Sequence, residues 1–301
     1  MNNNLVEQKP SETALYTALR RTIANKEYKD SCFGADDLAE YFLPPHFRFF
    51  LKFKKIQSNT KEKLNSFFPG VYEFVIARTA YFDRLFVTAL NKGIPQIVLL
   101  GAGYDSRAYR FAKLIQDTKI FELDIAPTQD RKKKCLQKAN IDIPKQLAFV
   151  PIDFNRESLK TVLENARYRN DQETLFIWEG VSYYLDPSSV DATLEFFSQS
   201  SHKDSVIAFD YTVSITEENK TDYYGAKELS QAMKERHANE GFMFSIEEGK
   251  IEAFLEQRNL KMVEHLDKEE IESKLLTDGD GSLIGHITAN FRFVLATHKD
   301  Q

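Results

Sequence analysis

Apolar residues take up a helical spacing from Ser11 onward. Ala14, Leu15, Ala18, Leu19 and Ile23 form one stripe, and Ser11 stands where an N-cap belongs. The ten residues before it, MNNNLVEQKP, are polar and read as a frayed end. A second helix is expected from about Asp36 to Leu43, stopped by Pro44-Pro45. The stretch His46–Phe53 is crowded with Phe and Arg. It admits a helix packed all round or a lid over a pocket, and core packing is the expectation. A longer helix is expected from Val71 to Leu90, between Pro69-Gly70 and Gly93. Its stripe is Val71, Phe74, Val75, Phe82, Leu85, Phe86 and Ala89, and Arg78 falls inside it. An arginine on a buried face is costly unless an anion meets it. Either Arg78 snorkels to the edge or pairs with a nearby carboxylate, or it receives the carboxylate of a ligand.

The pattern then changes to short continuous apolar runs. Ile97–Leu100 is bounded by the turn Gly101-Ala102-Gly103, and a helix is expected over Ser106–Gln116. The alternation repeats. Strands are expected at Lys119–Asp124, Leu147–Asp153, Thr174–Glu179 and Ser205–Tyr211. Helices are expected at Thr128–Asn140, Glu157–Arg167 and Pro187–Ser200. The run Arg131-Lys132-Lys133-Lys134 reads as a solvated face. Such alternation predicts an α/β fold with a parallel, doubly wound sheet, all strand C-termini on one side. Residues 212–245 are polar and Tyr-rich and read as a cap insertion, helical over Gly225–Ala238. An amphipathic helix follows at Ile246–Gln257, with weak strand patterns at Lys261–His265 and Asn290–Thr297. The DGDG at 278–281 lacks the Glu that closes a calcium loop and reads as a surface turn; no metal is expected.

Composition narrows the class. Apolar content of 42% supports a core, and 40 basic against 45 acidic residues argue against a nucleic-acid partner. Cys32 and Cys135 are far apart and lack metal-ligand spacing. The N-terminus has no apolar signal core, and no run approaches membrane-spanning length. A cytoplasmic protein without a membrane partner is expected.

The strand ends carry the candidate chemistry. Glu122 and Asp124, Asp153, Glu179 and Asp210 stand at four successive ends, where open α/β sheets bind ligands. They suggest a crevice rich in hydrogen-bond acceptors. Asp124 follows Gly101 at about the 20-residue distance from which an acid reaches ribose hydroxyls. The third glycine of a G-x-G-x-x-G turn is missing, because Ser106 stands there. A pyrophosphate cradle needs that glycine, so NAD fits less well than S-adenosylmethionine, which has no phosphate. The cationic sulfonium and ammonium of S-adenosylmethionine suit acids, and its carboxylate suits Arg78.

The run ARTAYFDRLFVTALNKGIPQIVLLGAGYDSRAYRF, then FELDIAP, PIDF and WEGVSYYL, resembles the leucine carboxyl methyltransferase family. That family includes bacterial S-adenosylmethionine-dependent O-methyltransferases, some acting on polyketide-type small molecules. The resemblance covers about residues 70–210. It implies a class I methyltransferase sheet of seven mostly parallel strands, the last antiparallel, with helices on both faces. The whole chain would be one domain. Residues 1–70 would be a helical lid, 71–211 the nucleotide-binding core, 212–245 the cap and 246–301 the end of the core. The resemblance also implies roles. Arg78 would bind the methionyl carboxylate, and Gly101, Ala102, Gly103 and Asp105 would lie along the methionyl part. Asp124 would hold the ribose, Asp153 and Phe154 the adenine, and Glu179 the ammonium. Tyr104 and Ser106 replace a frequent Leu and Thr, and Phe154 a frequent Leu.

Tyr104, Tyr183, Tyr184 and Tyr223 are candidates for the acceptor pocket or for ordinary packing; no residue stands out as a general base, and His237 in the cap, the best of the six histidines, is expected at the surface. The expected activity is methyl transfer to a carboxylate or hydroxyl oxygen, with a small-molecule acceptor favoured. A protein C-terminal carboxylate, a non-catalytic S-adenosylmethionine-binding protein and a nicotinamide dehydrogenase stay open as alternatives.

Overall fold

The computed structural model describes residues 9–28, 36–216, 218–219, 221–236 and 242–299. Among these, the strands are β1 Gln96–Leu100, β2 Lys119–Asp124, β3 Leu147–Pro151, β4 Thr174–Trp178, β5 Val206–Thr212, β6 Leu260–Leu266 and β7 Phe291–His298. They form a seven-stranded sheet in the order β3-β2-β1-β4-β5-β7-β6. β1 pairs in parallel with β2 and β4, and β7 runs antiparallel to β5 and β6. The connection reverses direction across β1: the chain steps outward to β2 and β3, then returns to β4 on the other side. That reversal opens a crevice at the strand C-termini.

The continuous apolar runs are explained by two covered faces. Ile97 and Leu99 point into one core cluster, with the helices α1 Glu12–Glu27 and α4 Val71–Lys92. Val98 and Leu100 point into the other, with α7 Leu159–Asn165 and α8 Pro187–Ser200. α4 is bounded by Gly70 (φ 77°) and Gly93 (φ 68°), as its sequence flanks predict. Its aromatic stripe meets β7: Phe74 stacks on Phe291 at 4.0 Å and Tyr81 on Phe293 at 4.9 Å. Each such fully buried Phe stabilises the fold by about 1.5–3 kcal/mol.

Several expectations are corrected. The segment 46–53 is not core: helix α2 Pro45–Phe50 leaves Phe47, Phe49, Phe50 and Phe53 about half exposed. So short a helix presents one residue inward, Leu51 just beyond it, which is 1% exposed. The basic run is not a solvated face. It sits on α6 Ala126–Lys138, where four consecutive residues span a full turn, so one must face the sheet. That one is Lys132, buried against Glu122 at 2.6 Å. The helix expected to reach Gln116 stops after one turn, α5 Arg107–Arg110. Both its arginines are bound to Asp83 of α4, and these contacts set its geometry over helix propagation.

The segment 36–43 is a single 3-10 turn, Ala39–Phe42, opened by the Asp36 carboxylate on the N–H groups of Leu38 and Ala39. The helix expected from Ile246 begins only at α10 Ile251–Glu256. Gly249 at φ 74° breaks it, and Ile246 instead bonds Thr212 alongside β5. In the cap, α9 covers Ala226–Arg236. Two helices were not anticipated: α3 Lys54–Phe67, which has no fully buried residue, and α11 Lys268–Leu275. The latter carries a capping box of Asp267 and Glu270 that the sequence displays. The DGDG stretch is a turn in which Asp278 accepts the N–H groups of Asp280 and Ser282. No helix among the described residues is long and apolar enough to cross a membrane.

Candidate active site

A cavity of about 780 Å³ opens over the C-termini of β1, β2 and β4. Its floor is the turn after β1. Gly101 (φ 70°) has no room for a side chain: a Cβ there would lie 2.4 Å from Val181 Cγ2. Gly103 (φ 48°) packs against Ala14 of α1. The turn is tied to β2 by two N–H bonds, Ala102 to the Leu123 carbonyl (2.8 Å) and Gly103 to Asp124 Oδ2 (2.6 Å). The other Asp124 oxygen accepts the Ile125 N–H at 2.7 Å. Burial pushes the Asp124 carboxyl up, opposed by those two N–H groups. Asp124 lines the cavity and also clamps its floor.

Two buried arginines organise the β4 side. Arg78 Nε donates to Glu179 Oε1 (3.0 Å), and its Nη1 donates to the Tyr183 hydroxyl (3.1 Å) and Asp210 Oδ2 (3.3 Å). Arg107 pairs with the other Glu179 oxygen at 2.7 Å, and also with Asp83 and Asp105. Burial acts to lower both guanidinium groups. Tyr183, Glu179 and Asp210 push Arg78 up instead, and Asp105, Glu179 and Asp83 do the same for Arg107. Glu179 therefore lines the cavity as a carboxylate held at both oxygens. Asp210 is fully buried and accepts the Gly180 N–H at 2.6 Å, so it supports the site from beneath.

The wall facing the sheet comes from α1 and its N-cap Ser11: Ser11, Thr13, Ala14, Thr17 and Arg21 line the cavity. Ser11 caps its helix through the Ala14 N–H, as its sequence position predicts. Arg21 donates to the Tyr104 carbonyl (2.8 Å) and pairs with Asp36 (3.2 Å), which locks α1 over the glycine turn.

Of the candidate residues, Arg78, Gly101, Ala102, Gly103, Asp105, Asp124, Phe154, Glu179, Tyr104 and Tyr184 are brought together around this cavity. Others are not. Asp153 stands beside it, its carboxylate turned to the Asn155 N–H, and Phe154, Asn155 and Arg156 take the lining. Tyr183 does not wall the pocket: it is 2% exposed and bound to Arg78 and Asp210. Tyr223 turns to Glu248 at 3.4 Å, away from the cavity. Tyr104 lines it, but its ring is packed between Phe42 (5.2 Å) and Arg131 (5.3 Å). Glu122 lies within β2 rather than at its end and is covered by α6, so the acidic crevice holds Asp105, Asp124, Glu179 and Asp186. His237 lies outside the described residues. Arg107 was missed. Its signal was its place in the DSR run directly after the glycine turn. Phe242 and Met243 were also missed, because only the return of the cap brings them to the mouth, where the Met243 N–H bonds the Tyr183 carbonyl.

The seven-stranded sheet, with its crevice at the strand C-termini, is the fold of a class I methyltransferase. Among solved structures, a "putative methyltransferase" of Thermobifida fusca YX shares the fold at TM-score 0.62 and 15% identity, covering 99% of this chain and 97% of that one. A duf574 family protein of Streptomyces avermitilis does so at TM-score 0.60 and 12% identity, covering 98% and 99%. The family model for leucine carboxyl methyltransferase matches residues 14–198, and the chain belongs to that family. It is 29% identical to the "Putative S-adenosyl-L-methionine-dependent methyltransferase YktD" of Bacillus subtilis, over 72% of this chain and 70% of that protein. It is 30% identical to a protein of the same description in Mycobacteroides abscessus, over 61% of this chain and 58% of that protein. Family membership closes the dehydrogenase alternative.

Proposed function

We propose that this S-adenosylmethionine-dependent methyltransferase transfers its methyl group to a carboxylate or hydroxyl oxygen of a small-molecule acceptor. One observation carries the reading: a single cavity joins the Asp124 and Glu179 corners of the sheet to an apolar mouth of Tyr184, Leu185, Phe242 and Met243. At about 780 Å³ it has the size of a small-molecule site.

The residues present suit the cofactor. The bare backbone at Gly101, where a Cβ would strike Val181, leaves a close approach for the methionyl part. Asp124 offers a charged acceptor to the ribose hydroxyls. Phe154 and Asn155 line the same cavity as Asp124 and would hold the adenine. Arg78 and Glu179 offer a cation and an anion to the amino-acid end. The bound cofactor supplies a methyl group already activated on sulfur. The chain's own work is alignment and exclusion of water. Glu179 is pinned by two guanidinium groups, one on each oxygen, which fixes its orientation in the cavity. An acceptor carboxylate, with a reference pKa of about 4, reaches such a site already deprotonated. A phenol, with a reference pKa of about 10, needs its proton removed.

The test is release of S-adenosylhomocysteine by the purified protein, with small carboxylic acids and phenols in one series and peptides with free C-termini in another. Turnover confined to peptides would replace the small-molecule acceptor by a protein. Binding of S-adenosylhomocysteine by calorimetry, with no turnover on any acceptor, would favour a binding protein. Arg78→Ala is expected to weaken that binding at least about tenfold.

A further inference from the structure

The residues His46–Gln57 read HFRFFLKFKKIQ and contain no acidic residue, in a chain whose net charge is -5. α2 and the turn after it hold this stretch on the outside of the molecule. Leu51, 1% exposed, is its inward anchor. Phe47, Phe49, Phe50 and Phe53 point outward, at 46%, 56%, 50% and 52% exposure. Phe49 touches both Phe50 (5.8 Å) and Phe53 (5.9 Å), so these three rings form one patch, and Phe47 stands on the same short helix. Exposed Lys52, Lys54 and Lys55 border it, and Arg48 lies over the Tyr41 ring at 4.5 Å. None of the four Phe lines the active-site cavity.

We infer that this patch is a docking surface for an anionic lipid bilayer. A cluster of outward aromatic rings bordered by cations is what the interface between headgroups and acyl chains accepts. The rings enter the boundary and the lysines meet the anionic headgroups. A protein partner fits less well. Exposed Lys52, Lys54 and Lys55 border the rings with no acidic residue among His46–Gln57, and lysine is depleted where proteins meet. Anionic headgroups take up each of those charges. The sequence alone suggested no membrane partner, since it contains no spanning run; a surface patch is invisible to that criterion. The inference does not depend on the identity of the methyl acceptor.

The test is sedimentation of the full chain with vesicles of phosphatidylcholine alone, and with vesicles of phosphatidylcholine and phosphatidylglycerol mixed equally. Binding is expected on the mixed vesicles only and is expected to fall as salt rises. The double variant Phe49→Ser, Phe50→Ser is expected to weaken it about tenfold or more. Lys54→Gln with Lys55→Gln should weaken it to a similar degree. Both variants are surface changes, and unchanged binding of S-adenosylhomocysteine confirms that they are folded. Absence of binding to mixed vesicles overturns the inference, and so does equal binding to both vesicle types or indifference to the variants. A dimer in sedimentation velocity that the Phe variant dissociates would make the patch a self-association face and overturn it too.

Discussion

Replacing Asp124 by Asn changes one atom and two functions. The Asp124 carboxylate accepts the Gly103 N–H at 2.6 Å on one oxygen and the Ile125 N–H at 2.7 Å on the other. In Asn one of those oxygens becomes an amide NH2. One backbone donor is then left facing a donor, in a site where water replaces the lost partner poorly. A hydrogen bond to a charged group is worth about 1.5–3 kcal/mol. The variant should lose stability of that order, lowering its melting temperature by several degrees. The same carboxylate is the proposed acceptor for the ribose hydroxyls, and losing its charge forfeits a second charge-assisted interaction. The affinity for S-adenosylhomocysteine should fall about tenfold to a hundredfold. Differential scanning fluorimetry reads the first effect and titration calorimetry, at a temperature where both proteins are folded, reads the second. Wild-type affinity in a protein that melts early would reduce Asp124 to a clamp on the glycine turn and remove it from the ribose. Wild-type behaviour in both assays would refute the reasoning altogether.

Two further outcomes follow from Gly101 and Glu122. Gly101→Ala puts a Cβ 2.4 Å from Val181 Cγ2, at a backbone φ of 70° that L residues avoid. It should destabilise the protein by about 1–3 kcal/mol, with Val181→Ala restoring only the steric part; full restoration in a denaturant titration would mean the backbone is unstrained. Burial pushes the Glu122 carboxyl up to about 7, although Lys132 opposes it. Below pH 4.5 the group is protonated both folded and unfolded. As pH rises to 7 the unfolded chain releases the proton first, so stability is lost across that window. The loss amounts to about 3 kcal/mol, complete above pH 7. Glu122→Gln should lack this slope, and parallel stability profiles for the two proteins from pH 4.5 to 7 would count against the shift.

Much of the architecture was legible because its signals are local. A strand covered on both faces must be apolar throughout, and Ile97–Leu100 is. A helix set between glycines at positive φ declares its ends, and α4 does. The glycine turn after β1 was legible for the same reason, since the conformation at Gly101 excludes other residues. Elements that depend on partners were misread. α5 is cut short by the grip of Asp83 on its arginines, and the helix expected from Ile246 is displaced by pairing beside β5.

Arg78 shows where the boundary falls. Its place in an apolar stripe was enough to require an anion. Which anion was a question of topology, because Glu179 and Asp210 lie 101 and 132 residues away along the chain. The same holds for Lys132, which composition placed in water and the sheet placed against Glu122, and for the aromatics of α2, which composition placed in the core and the fold left outside. The sequence by itself determined the strands, the helices α1, α4, α6 and α8, the glycine turn and the need for charge compensation, because each is set by neighbours within a few residues. The tertiary structure alone decided which charges are buried together, which tyrosines face the cavity and which phenylalanines meet solvent. Those outcomes depend on which distant segments the sheet order brings side by side.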